Sequence, residues 1–272
     1  MTDSTCTICN EHANEVLSYK ILNDHQVTLA RCRNCGFLFV QDSKWVEGSF
    51  DSELNRFDLG ALDRAIIVAD VVEALSRSSK TKSLSFLDWG GGYGLLTRLS
   101  RDRGIDMVNF DPYVRPIFSG PAQVDGLIKR EVLVASEVFL HLVDPLRELL
   151  NLLNFADSVL VTAVVPPQNI SADWWYLMPD TGQHISFFPV TTLKELAQRS
   201  GTFIYTDRRF FHLFSKQRLP LRQAAIVKWR SLLYLYVFWN HIRRFALRAR
   251  GKSFSMTLGD QAQVRGSQDK TS

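Results

Sequence analysis

The chain has 272 residues, of which 46% are hydrophobic and 22% charged, the proportions of an ordinary globular protein with room for one large domain and small additions. Its longest fully apolar run, Leu232 to Trp239, is eight residues counting tyrosine, which excludes the ~20-residue span of a membrane-crossing helix; the polar opening carries no secretory signal, so a cytosolic location is expected. The net charge of +4 is uneven: Arg208 to Gly259 holds twelve Arg or Lys and no acid, and the remainder holds 20 basic and 28 acidic groups.

All four cysteines fall in the first 35 residues, as Cys6-x-x-Cys9 and Cys32-x-x-Cys35. Two such knuckles suit a tetrahedral zinc site in which each supplies two thiolates. Two disulfides would need an oxidising compartment, and a redox pair leaves the second knuckle unexplained. His12 and His25 are surplus to a four-sulfur site. Glu15 to Ala30 alternates like a hairpin and Gly36 leads into the apolar run Phe37 to Val40, so residues 1–44 are expected to form a small zinc-ribbon-like module. Acids and bases are nearly balanced in it, which disfavours a nucleic-acid partner.

A polar connection over residues 45–58 precedes Leu59 to Leu75, whose Leu62, Ile66, Ala69, Val72 and Leu75 recur at helical spacing. Next comes Phe86-Leu87-Asp88-Trp89-Gly90-Gly91-Gly92-Tyr93-Gly94, followed by leucines at helical spacing to Arg101. This predicts strand, tight turn and helix, with glycines that admit a ligand close to the backbone and helix-start N–H groups that favour an electron-rich one. A second apolar run, Met107 to Phe110, ends in Asp111, where a carboxylate suits a ribose diol. A dinucleotide fingerprint would need a third glycine where Leu95 or Thr97 stands.

The pattern D-x-G-x-G-x-G from Asp88 to Gly94, with Asp111 after it, resembles the first two motifs of the class I S-adenosylmethionine-dependent methyltransferases. The resemblance implies an α/β, Rossmann-like fold with a seven-stranded sheet. It implies S-adenosylmethionine as cofactor, with Asp88, Gly90, Gly92 and Gly94 along its methionine part and Asp111 on its ribose hydroxyls. A glycine turn without a ligand is the alternative.

Further along, Tyr113 and Asp125 are candidates to face the adenine. Val132 to Ala135 reads as a buried strand that delivers Glu137, Val138, His141, Asp144 and Pro145 to the strand-end edge where open α/β sheets bind ligands. Those five resemble the E-V-L-x-H-x-x-D-P segment of the same superfamily; His141 is read as structural, and Pro145 as the start of a helix to Leu153. Ser158 to Val165 is the next strand, and Trp174 to Pro179 is an aromatic loop suited to walling a substrate pocket. A helix capped by Thr191 or Thr192 and a hairpin from Phe203–Tyr205 and Phe210–Phe214 complete a catalytic domain over 45–216.

The cysteine tetrad, this domain and His184-Ile185-Ser186-Phe187-Phe188 together resemble the sugar methyltransferases with an N-terminal zinc-binding domain, including those that C-methylate nucleotide-linked keto-sugars. The resemblance implies that His184 removes a proton from the acceptor. That family's acid before the histidine is Gln183 here, and an amide takes no proton, so O-methylation of a sugar or glycan precursor is the expected activity ahead of C-methylation. The alternative from another class is a non-catalytic zinc-binding adaptor that retains the fold: the cofactor glycines and Asp111 favour the enzyme, Gln183 the adaptor.

Finally, Leu221 to Arg250 reads as one helix with Ile226, Trp229, Leu233, Tyr236, Val237, Asn240, Arg244 and Leu247 near one face, within a segment 217–252. Its positive charge and its Trp and Tyr residues fit a helix lying on an anionic inner membrane face, where the acceptor would be a lipid-linked sugar. Packing on the domain or on a second subunit is the alternative. The polar residues 253–272 are expected to be disordered.

Overall fold

The structure, a computed structural model, describes residues 4–22, 24–48, 59–79, 84–249 and 255–268; most of the 45–58 connection lies outside them. In chain order the strands are β1 (Ser4–Thr5), β2 (His12–Ile21), β3 (His25–Cys32), β4 (Leu38–Val40), β5 (Phe86–Trp89), β6 (Met107–Phe110), β7 (Arg130–Ser136), β8 (Ala156–Thr162), β9 (Ser186–Phe187), β10 (Phe203–Thr206) and β11 (Phe211–Ser215). The helices are α1 (Ala61–Ser78), α2 (Leu95–Asp102), α3 (Pro145–Leu153), α4 (Val190–Arg199), α5 (Leu221–Lys228), α6 (Arg230–Ala249) and α7 (Thr257–Gln268). They form a five-stranded sheet, β1-β2-β3-β4-β9, and a six-stranded mixed sheet, β10-β11-β8-β7-β5-β6.

The chain divides into two compact units. The first combines Met1–Leu59 with Glu137–Asn154 and Val159–Arg218. Its five-stranded sheet is antiparallel, with a bulge between Glu15 and Leu17 in the β2–β3 ladder. The alternation of β2 and β3 turns Tyr19, Ile21, Val27 and Leu29 into a core shared with Leu38, Leu140, Tyr176, Leu177, Ile185 and Phe187. The sheet of the cysteine region extends beyond residue 44, because β9, far later in the sequence, pairs with β4 through Leu38↔Phe187 and Phe39↔Ser186. Half of the expected aromatic wall also belongs to this core: Tyr176 and Leu177 are buried, while Trp175 is exposed.

The second unit comprises Gly60–Ser136, Phe155–Ser158 and Leu219–Ser272. β5 is parallel to β6 and to β7, and their near-continuous apolar content fits strands covered on both faces. The described residues give six strands in this sheet rather than seven. Near Asp125 the chain makes one isolated bridge, Asn109↔Gln123, since Gly120-Pro121 and Gly126 flank a stretch too short to extend the ladder. α1 is helical as expected, and Ala69, Val72 and Leu75 of the expected face are buried together with Val68 and Val71, whereas Leu62 and Ile66 in its first turns are exposed. Glu73 is buried with them because Arg77 (2.8 Å) and Arg244 (3.0 Å) satisfy its carboxylate.

The C-terminal helix is two helices, since Trp229 is extended (φ −122°, ψ 99°) between α5 and α6. Leu233, Asn240 and Arg244 of the expected stripe face inward, two of them buried and the third paired with Glu73. Where disorder was expected, Thr257–Gln268 is helical, because Asp260 is buried and paired with Arg98 and Arg101 of α2.

Candidate active site and metal centre

β5 ends at Trp89 and α2 starts at Leu95, so the chain turns within five residues. Gly90, Gly92 and Gly94 have φ of +68°, +52° and +80°, a region that costs other residues roughly 1–2 kcal/mol. Gly91, which the D-x-G-x-G-x-G pattern leaves as an unspecified position, is the tightest: a Cβ there would lie 2.1 Å from Asn109 Oδ1 and 2.6 Å from the Asp88 carboxylate, while a Cβ on Gly92 would meet nothing within 4 Å. The turn is thus sealed beneath Gly91 and open at Gly92, the arrangement a ligand laid along the backbone needs.

Asp88 lies beneath this turn, 1% exposed, where Thr97 Oγ1 donates to it (3.2 Å). Burial pushes its carboxyl up to about 7, and the charge of Asp111 adds to the effect. Asp88 therefore acts on a ligand only through the shape of the turn. Asp111 is half-buried at the end of β6. One of its oxygens accepts from Gly92 N (2.8 Å) and the other from Tyr113 N and Val114 N (both 2.9 Å). A carboxylate offers about four acceptor sites, so with three taken it can still accept from one further donor, such as a hydroxyl. Asp111 to Arg115, with Gln123 and Val124, line a cavity of about 440 Å³, within the usual range for small-ligand sites. Tyr113 is in that lining and Asp125 is not. Buried Asn109 and Ser119, against Gly91 and Gly94, have side-chain polar atoms without a hydrogen-bond partner. Orphaned polar atoms beneath an open turn are compatible with a bound nucleoside cofactor.

In the first unit the sulfurs of Cys6, Cys9, Cys32 and Cys35 all lie within 4.8 Å of one another and are buried. The separations Cys6–Cys35 and Cys9–Cys35 are 3.7 Å and Cys9–Cys32 is 3.3 Å. Zn–S bonds of about 2.3 Å in a tetrahedron put sulfurs ~3.8 Å apart, so the tetrad fits zinc. Bonding from Cys35 holds the Cys6 thiol down, to about 5, whereas the same bond and burial push Cys35 up. The knuckles are tied to α4, where Thr192 Oγ1 donates to Cys35 O (2.9 Å) and Arg199 to Cys9 O (3.4 Å).

The same unit brings His184 beside His141, with ring centroids 5.4 Å apart. His184 Nδ1 lies 2.7 Å from Tyr176 O, and His141 Nδ1 lies 2.9 Å from Gln183 O. A carbonyl only accepts, so both rings carry their neutral-state proton on Nδ1 and their lone pair on Nε2. Gln183 holds His141 through its main chain, a contact indifferent to the missing acid. Glu137, expected at the ligand edge, Tyr176, expected in the pocket wall, and Thr162, with no expected role, join this cluster: Glu137 accepts from Tyr176 Oη (2.8 Å) and Thr162 Oγ1 (3.2 Å). The signal for Glu137 in the sequence was its position at a strand end.

Comparison with curated protein sequences gives no match. Among solved structures, similar ones include the mitomycin 7-O-methyltransferase MmcR, at 13% identity over 62% of this chain and 60% of that one, TM-score 0.45. Others are an O-methyltransferase family 2 protein from Planctomyces limnophilus in complex with apigenin (13% identity, 56% of each chain, TM-score 0.45) and the plantazolicin methyltransferase BpumL in complex with SAH (11%, 64% of this chain and 95% of that one, TM-score 0.45). The chain spans 60% and 56% of the length of the first two. A family described as "Methyltransferase domain" matches residues 62–204. As this match runs from the start of α1 into β10, takes in the turn, Asp111 and His184, and covers more than half of the sequence, the chain belongs to the methyltransferase-domain family.

Proposed function

We propose that this protein is an S-adenosylmethionine-dependent methyltransferase that O-methylates a sugar or glycan precursor, with zinc on the four cysteines as a structural ion. The observation that carries the reading is the open turn at Gly92 beside Asp111. When bound, S-adenosylmethionine supplies an already activated sulfonium methyl group. The chain's own tasks are then to align donor and acceptor and to remove one proton. Gly90 to Gly94 hold the methionine part, with Asp88 shaping the turn from below, and Asp111 takes the ribose hydroxyls. His184 accepts the acceptor's proton at Nε2, its Nδ1–H being fixed by Tyr176 O. The carbohydrate class rests on the pairing of the cysteine tetrad with the histidine segment. Incubation with methyl-labelled cofactor and an extract of the source cells should yield a labelled saccharide, and His184→Ala should lower its formation ~10²–10⁴-fold with cofactor affinity unchanged. A labelled product of another class removes the carbohydrate assignment; calorimetry showing no binding of S-adenosylmethionine, or tighter binding of NAD, removes the enzyme.

The same reading includes peripheral contact with an anionic membrane, where a lipid-linked acceptor would reside. Opposite the packed side of α6, the side chains of Leu232, Leu235, Phe238, Trp239, Ile242 and Phe245 are exposed, on an arc of roughly 140° at 100° per residue. No helix among the described residues is long and apolar enough to cross a membrane. The absence of acids from 208 to 259 disfavours a second copy as the covering partner, because it would set basic groups against basic groups, whereas anionic lipid complements them. α5 and α6 pack on α1, so truncation would damage the fold; point changes on the exposed side are the proper test. The intact chain should sediment with vesicles containing phosphatidylglycerol and be released by salt, and Phe238→Ser/Trp239→Ser should stay in the supernatant. Sedimentation unchanged in the double variant, or none in the intact chain, removes the membrane contact.

A further inference from the structure

We infer that Glu137 is a positioning residue, which holds the imidazole of His184 in its working tautomer through Tyr176. Its catalytic meaning rests on the reading of His184 as the base; the structural link stands apart from that reading. Glu137 follows β7 directly and has φ +58°, a left-handed conformation that a long side chain adopts only where its surroundings impose it. Here Thr162 imposes it: the Glu137 N–H donates to Thr162 Oγ1 (3.0 Å) and to Thr162 O (3.3 Å). The bend aims the carboxylate so that Oε1 accepts from Thr162 Oγ1 and Oε2 from Tyr176 Oη (2.8 Å).

Tyr176 is thereby fixed at both ends. Its hydroxyl donates to Glu137 and accepts from Val164 N (3.1 Å), while its carbonyl receives His184 Nδ1–H (2.7 Å) and its ring meets the imidazole edge-on, centroids 4.9 Å apart. A phenol committed to these two bonds is a strut and not a proton donor to substrate. The chain at Tyr176 is a single turn of 3-10 helix, Trp175–Leu177, followed by Met178 in the left-handed region (φ +45°). The strain stored at Glu137 is thus coupled to one result, a carbonyl directed at Nδ1. Without that acceptor a neutral imidazole reverts to its intrinsic preference for the proton on Nε2, the nitrogen that must be bare to act as a base.

Long-range ¹H–¹⁵N NMR of the full chain with labelled histidine reads this without any acceptor substrate. Six histidines are present, and the His184 signal is the one missing from His184→Gln. Wild type and Glu137→Gln, whose amide oxygen still accepts from Tyr176, should show the Nδ1–H form of His184. Glu137→Ala and Tyr176→Phe should lose that single form and gain Nε2–H, while buried His212, whose Nε2 donates to Ala163 O (3.0 Å), keeps its own signal as the control for folding. An unchanged His184 tautomer in both variants, with His212 intact, overturns the inference. If His212 is lost in Glu137→Ala, Glu137→Gly keeps the question answerable, since glycine accepts the φ and removes only the carboxylate. Methyl transfer undiminished in His184→Gln would overturn the base while leaving the link standing.

Discussion

The two units reach their sites by different routes. In the second, the turn between β5 and α2 is made by consecutive residues, and its shape follows from local sterics: Gly91 against Asn109 and Asp88, Gly94 against Ser119. In the first, the sulfur tetrad and the His141–His184 pair draw on three stretches of chain far apart in sequence, joined by β4–β9 pairing and by single bonds such as Ile185 N to Leu140 O. A local site survives as long as its own backbone does. A site assembled from distant stretches depends on whatever closes the loops between them, and the zinc proposed on the tetrad would clamp the ends of the β2–β3 hairpin within the first of those stretches.

Removing the metal should therefore separate the units most sharply. Structural zinc contributes binding energy of about 10–16 kcal/mol that is also folding energy. Cys32→Ser is expected to lose the ion and to leave the amides of β2, β3 and β4 open to hydrogen exchange, while those of β5 and β6 stay protected. Elemental analysis and exchange mass spectrometry on the same sample test this. Collapse of protection in β5 and β6 as well would show that the second unit also leans on the metal.

A smaller contrast lies in pH. Asp88, raised to about 7 by burial, binds a proton in the folded state that the unfolded chain has released above about 4, so its contribution to stability falls as pH rises from about 4 to 7, by at most about 4 kcal/mol. His212 runs the other way. Burial lowers it to about 4, so the folded state resists a proton that the unfolded chain takes up below 6.5, and stability falls as pH drops from 6.5 to 4, by at most about 3 kcal/mol. Urea unfolding should show Asp88→Asn gaining on wild type with rising pH and levelling above 7. His212→Asn should lose ground at neutral pH and be less sensitive to acid. Parallel pH profiles for both variants would remove the contrast.

This difference also explains what was legible. Asp88 to Gly94, Asp111, the four cysteines and the hairpin of β10 and β11 were readable because spacing in the sequence is spacing in the fold when residues are neighbours in one element or turn. The inward face of α1 was legible at Ala69, Val72 and Leu75 but not at its start or at Glu73, which is buried because Arg77 and, 171 residues on, Arg244 answer its charge. The helix at Thr257–Gln268 was missed for the same reason, as its polar composition gives no hint that Asp260 meets Arg98 and Arg101. The Glu137–Tyr176–His184 link was invisible, since a positive φ at a glutamate has no signature in composition or period.

The smallest expected effect bears on the turn after β5 and the carboxylate beside it. Asp111 does two things at once: its carboxylate gathers the N–H groups of Gly92, Tyr113 and Val114, and it lines the same cavity as Tyr113 and Val114. Asp111→Ala removes both, leaving three amides without their acceptor, and should weaken S-adenosylmethionine binding by about 1–3 kcal/mol in calorimetry. Asp111→Asn separates them. The amide oxygen still accepts from Tyr113 N and Val114 N and keeps that half of the local turn, while the amide nitrogen, a donor, cannot replace the oxygen that accepts from Gly92 N and the charge proposed to hold the ribose is gone, so the loss should fall below that of the alanine variant. Both effects should come without exposure of β2 to β4, because nothing at this turn closes a loop in the first unit. If Asp111→Asn binds the cofactor as weakly as Asp111→Ala, charge rather than the shape of the turn governs the site; if neither variant loses affinity, the ribose is held elsewhere.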